Sequence, residues 1–142
     1  MGAGISNSSF SPNNLSQAPQ SQANFSTFSH STVTADWGVN NSTPKSQSAT
    51  KNLYITSLTI SGETDLTAEI AIQEIPLFVI VRDDTDSKLL WAGILSIPTN
   101  THVNFITPVL LEKGHDWKTQ VRLGGATNAN ITITIGNFES EY

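Results

Sequence analysis

The sequence has no cysteine, one methionine and little charge. Without cysteine there are no disulfides and no thiolate metal sites. No apolar stretch approaches the ~20 residues that cross a bilayer. Residues 1–30 hold no apolar run flanked by basic residues, so no secretory signal is expected, and the expected site of synthesis is a host cytoplasm. Charged residues make up 13% of the 142, with seven Lys/Arg against twelve Asp/Glu and a net charge of −5. Nucleic-acid affinity comes largely from neutralising phosphates with clustered Lys and Arg. Neither half of the chain carries such a patch, so nucleic acid and anionic membrane surfaces are not expected as partners.

The scarce charge is unevenly placed. Residues 1–50 contain only Asp36 and Lys45, and Ser, Asn, Gln, Thr and Pro dominate them. Disordered tails usually stay soluble through charge, and this one has almost none. It carries instead Phe10, Leu15, Phe25, Phe28, Val33 and Trp37, spaced as occasional apolar anchors. The reading is an extended polar arm over 1–50, in which STVTADW (31–37) suits a short strand, followed by a folded domain over 51–142. The start MGAGIS fits the N-myristoylation pattern at Gly2, with Ser6 in place. Small residues are common in a Ser/Gly-rich start, and the match is set aside.

From residue 52 the pattern is all-β. NLYITSLTIS (52–61) is rich in β-branched and aromatic residues, and SGETD supplies a turn. DLTAEIAIQ (65–73) alternates, with Leu66, Ala68, Ile70 and Ile72 on one face. PLFVIVR (76–82) is apolar on both faces, which suits a central strand covered twice. DDTDSK (83–88) is a polar turn. KLLWAGILSI (88–97) follows, with Gly93 placed for a bulge or kink. HVNFITPVLL (102–111) contains Pro108, which belongs at an edge or an end. DWKTQVRL (116–123) puts Trp117, Thr119, Val121 and Leu123 inside. NITITIGNF (130–138) points Ile131, Ile133 and Ile135 inward. Roughly seven strands with turns about every eight to twelve residues predict an antiparallel β-sandwich or jelly-roll-like domain behind a long extended N-terminal arm. A core this small gains from oligomerisation, and its edge strands need a partner or a guard.

No constellation carries chemistry. His30, His102 and His115 show neither H-x-x-x-H nor H-x-E spacing. His115 and Asp116 are adjacent, and neighbours on a strand face opposite ways. Asp83, Asp84 and Asp86 lack the glycine and distant Glu of a calcium loop, and read as a solvated hairpin turn. There is no G-x-S-x-G, and no lysine or helix follows Gly124-Gly125. No catalytic residue, metal ligand or cofactor site is assigned, and the chain is not expected to be an enzyme. Trp91 and Trp117 sit in apolar strands and read as core; Trp37 is open to a partner.

The Ser/Asn/Gln-rich start through SHSTVTADW, the paired strands of FVIVRDDTDSKLLWAGIL and the run NFITPVLLEKGHDWKTQVRL together resemble small β-sandwich decoration or cement proteins of tailed bacteriophages. The resemblance is architectural and rests on no invariant motif. It implies a non-enzymatic homotrimer on the outer capsid surface of a virion, bridging neighbouring copies of the major capsid protein. An arm over 1–50 reaches about 165 Å at ~3.3 Å per residue. It would bind by strand addition, with Phe10, Leu15, Phe25, Phe28 and Trp37 as the buried contacts. The alternative is a receptor- or carbohydrate-binding module of a phage tail or head fibre, with an exposed aromatic site.

Overall fold

The computed structural model describes residues 23–33, 42–64, 75–124 and 129–141. Eight strands run through them: β1 Asn24–Val33, β2 Lys45–Ser46, β3 Asn52–Thr64, β4 Ile75–Asp83, β5 Lys88–Ile97, β6 Thr99–Leu111, β7 Asp116–Leu123 and β8 Ala129–Ser140. They form two four-stranded sheets, ordered β1-β8-β3-β6 and β2-β7-β4-β5. The antiparallel pairs β1·β8, β2·β7, β3·β6 and β4·β5 nest inside one another. Two further pairings, β3·β8 and β4·β7, join the nested pairs side by side. The chain is thus one long antiparallel ribbon, turned back on itself at the β4–β5 hairpin and wrapped into a sandwich. That is the jelly-roll arrangement. The all-β sandwich expected from the alternation is the fold observed.

The core follows from the same alternation. On β7, Trp117, Thr119, Val121 and Leu123 are buried while their neighbours are half-buried. Ile131, Ile133 and Ile135 of β8 are wholly enclosed and face them across the sandwich. The inward phase of β3 changes part-way along. Leu53 and Ile55 point in, then Leu58 and Ile60, because a bulge between Ile55 and Ser57 inserts one residue. The same irregularity is larger on the β6 side, where Ile55 pairs with Val109 and Ser57 with Asn104. Residues 105–108 therefore loop out of the ladder. Pro108 sits in that bulge on an edge strand, where its missing N–H leaves no ladder bond unmade.

Four expectations change. First, Asn24–Val33 is not part of a free arm: it is a ten-residue strand hydrogen-bonded along β8. The boundary at residue 51 therefore falls inside the sandwich, and the STVTADW strand is the end of β1 as far as Val33. Second, Phe28 is 2% exposed in the core of its own chain, so it is unavailable as a contact with a partner. Its ring meets Trp117 edge to face at 5.0 Å, and the Lys45 ammonium caps it at 5.0 Å from the centroid. Third, β4 is central but covered on one face only, since Phe78, Ile80 and Arg82 stay half-buried on the outside. Fourth, Gly93 holds register with Val79 and makes no bulge. The Trp91 ring occupies the space that a Cβ at Gly93 would need, so the glycine is required by close packing. The bulge of β5 lies instead opposite Val81 and Arg82. The strand expected over 65–73 lies outside the described residues.

Candidate interaction surface

The two sides of the sandwich are finished differently. On one side lie the edge strands β1 and β2; on the other lie β5 and β6. The β1/β2 side is closed. Phe28 and Val33 of β1 are buried, and between them His30 donates or accepts across the sheets to Thr119 Oγ1 at 2.7 Å. Both partners are buried, which is tolerable only because the bond is made. Ser42 seals the junction: its amide donates to the Thr119 carbonyl and its hydroxyl accepts from the Thr119 amide, each at 2.9 Å. The histidine in NFSTFSHSTV is therefore a sheet-to-sheet strut and not an arm residue.

A second polar cluster holds the ends of the β4–β5 and β6–β7 turns together. Asp83 is almost fully enclosed. Its Oδ1 accepts from the amides of Thr85 and Asp86 at 3.0 and 3.1 Å, which shapes the turn over residues 84–87. Its Oδ2 bonds His115 Nδ1 at 2.7 Å, and the Asp86 carboxylate lies 3.9 Å from the same nitrogen. Burial works against the charged form of Asp83, but the His115 bond and the two amide bonds outweigh it and hold the carboxyl below its ordinary value. The bond to Asp83 in turn raises His115 above its ordinary value, with the nearby charges of Asp83, Asp86 and Glu112 adding to it. Asp83, Asp86 and His115 are close enough to hold a cation between them. Both Asp83 oxygens are already committed to protein donors, and three ligands fall short of the six to eight oxygens calcium takes. The geometry is that of a turn clamp. Lys118 of β7 and Asp84, 3.0 Å apart, tie the β4–β5 turn to the start of β7 at the surface.

The β5/β6 side is open. Among the described residues β5 pairs only with β4, and β6 only with β3. The side chains that should plug the gap between the sheets are only half-buried: Trp91 and Leu95 on β5, Val103, Phe105 and Val109 on β6. Outside them Ile94 is 68% exposed, Leu89 57%, and Ile106, at the tip of the β6 bulge, is fully exposed. Ile94 and Ala92 continue onto the outer face of β4, where with Phe78 and Ile80 they line a shallow apolar groove of about 510 Å³. The Arg122 guanidinium lies 4.5 Å over the Phe78 ring at the far margin of that face. No Asp, Glu, Lys or Arg occurs anywhere from Leu89 to Leu111.

Against this geometry, the sequence-derived contacts separate. Phe25 is 74% exposed at the start of β1, on the outer face, and is available to a partner. Phe28 is core. Phe10, Leu15 and Trp37 lie outside the described residues. Trp117 is buried as expected and offers no ring to a sugar, whereas Trp91, expected in the core, is only half-buried, its ring over Gly93. The β5/β6 edge was not marked as a surface by the sequence reading, although the charge-free run over both strands was there to be seen. No protein-family model matches the chain, and no curated protein matches it.

Proposed function

We propose that this chain is a structural virion protein that decorates and cements the capsid of a tailed bacteriophage, as a homotrimer on the outer surface. Residues 1–22 are laid on neighbouring copies of the major capsid protein. The observation that carries this reading is the combination of a jelly roll with a charge-free segment leading directly into its edge strand β1. Jelly rolls serve as capsid, lectin and cupin domains, and a fold alone does not choose among these. Residues 1–22 favour the first. They hold no charged residue, and only Phe10 and Leu15 among their large apolar side chains beyond Met1 and Ile5. A segment of that kind gives up little charge hydration on being laid along a protein surface, and it gains affinity from backbone pairing and a few buried side chains. Ordering it costs about 1–2 kcal/mol per residue, a burden that many copies in a closed lattice share through multivalency. With Phe28 committed to the core, the contacts are Phe10, Leu15, Phe25 and Trp37.

The carbohydrate-binding alternative would have to do without Trp117, which is buried.

The test is a truncation that removes residues 1–22 and keeps every described strand. Incubated with capsids of the virus that carries this sequence, the full chain is expected to co-sediment and the truncated chain to stay in solution, with equal melting temperatures. Equal co-sedimentation of both forms, or absence of the chain from purified particles by mass spectrometry, overturns the reading.

A further inference from the structure

We infer that the β5/β6 edge is the self-association surface of this protein, and that its occupant is the same edge region of a second copy of the chain. Nothing in this inference depends on a capsid.

Edge strands expose a row of unpaired N–H and C=O groups, and soluble proteins guard them with charges, with proline or by covering them. Past Lys88, the first residue of β5, the two strands lack the first of these. The run from Leu89 to Leu111 contains none of the molecule's charged residues, although the chain as a whole carries −5. Charge begins again at either end of it, at Lys88, which pairs with Asp83 in the ladder, and at Glu112. Of the run's two prolines, Pro98 lies between the strands and Pro108 inside the β6 bulge, which presents a fully exposed Ile106 at its tip.

The neutrality argues for the identity of the occupant. A net-negative molecule that meets its own copy brings identical charges together, and like charges juxtaposed across an interface cost several kcal/mol. A patch free of charge lies against a copy of itself without that cost. A partner of opposite charge would leave complementary acids in the surface, and this surface has none. The half-buried Trp91, Leu95 and Phe105 supply the rest. They are aromatic and aliphatic side chains at the centre of the patch, which a second copy would enclose, and such groups dominate interface energy. Exposed Ile94 and Ile106 flank them on the two sheets. Exposed apolar side chains of this kind, bounded along the chain by the charges at Lys88 and Glu112, mark an association site on an otherwise polar surface.

The experiment is sedimentation of the full chain over a concentration series, compared with Ile94→Asp, Ile106→Asp and the double variant. Both side chains are exposed, so the melting curves are expected to match the parent, and this is checked by circular dichroism. Thr132→Asp, which places a new charge on the exposed outer face of β8, is the control. The parent is expected to sediment as an integral multiple of 15.3 kDa. Each single aspartate is expected to weaken association about tenfold or more, the double variant to be monomeric, and the control to behave as the parent. A parent that stays monomeric overturns the inference, as does an oligomer indifferent to the double variant. A monomeric parent that begins to associate when Phe10 and Leu15 are both replaced by Asp also overturns it. That result would identify the chain's own N-terminal segment as the occupant. Failure of residues 1–22 to bind capsids leaves this outcome untouched, so the two readings fail separately.

Discussion

At the scale of single residues, the most consequential pair is Asp83 and His115. Folding lowers the carboxyl and raises the imidazole from their ordinary values of 3.8 and 6.5. The signs set the pH window. A lowered carboxyl contributes stability above its unfolded value and loses it as pH falls through the folded one. A raised imidazole contributes fully below its unfolded value and loses it as pH rises through the folded one. The clamp is therefore complete between 3.8 and 6.5. Chemical denaturation across pH is expected to show stability declining on both sides of that window. His115→Gln is expected to flatten the alkaline limb and to shrink the acid limb as well, because the His115 bond is the strongest influence holding Asp83 low. An alkaline limb that persists in His115→Gln would trace the pH dependence to other groups. The sequence could not reveal this pair. Asp83 stands in a run of acids that reads as solvated, and His115 lies 32 positions away beside an Asp that it does not use. Only the folding of two distant turns onto one another creates the contact. His30 was hidden for the same reason: its partner Thr119 is 89 positions on.

At the scale of elements, strands with a strict two-residue period could be read directly. DWKTQVRL and NITITIGNF are seen with the inward faces their alternation dictates, because each buries one whole face. β1 was not legible in the same way. NFSTFSHSTV encloses only Phe28, His30 and Val33, one of them polar, and its ladder partner is at the far end of the chain. Its composition matches the polar segment before it more closely than the strands after it. The consequence for stability is direct. Phe28→Ala removes a ring packed against Trp117 and is expected to cost about 3–5 kcal/mol. Deleting residues 1–50 strips β1 and β2 from the two sheets, exposes β8 as a new edge and opens the core at Trp117. That truncation is expected to show no cooperative thermal transition, whereas removal of residues 1–22 retains one. A sharp melt in the longer truncation would mean that β1 is an accessory to the sandwich and not part of it.

At the scale of the whole molecule, the jelly roll is unequal from side to side. The β1/β2 side is locked by a buried histidine bond, an aromatic pair and two bonds between Ser42 and Thr119, one through the Ser42 amide and one through its hydroxyl. The β5/β6 side ends in half-buried apolar side chains and a ladder edge that no described strand covers. Local opening draws on regions with few buried contacts and solvent-exposed backbone bonds. In an isolated chain the amides of β5 and β6 should therefore exchange first, and those of β3, β4, β7 and β8, each flanked by two strands, should exchange last. If a second copy covers the open side, assembly reverses that order for one side only. Hydrogen exchange followed by mass spectrometry distinguishes the cases. Peptides covering 88–97 and 99–111 are expected to exchange more slowly in the parent assembly than in the monomeric Ile94→Asp/Ile106→Asp variant. Peptides from β1 are expected to exchange alike in both, since their protection comes from within the subunit. Protection gained at β1 and not at β5 and β6 would move the contact to the closed side, where the surface is already sealed by its own chain.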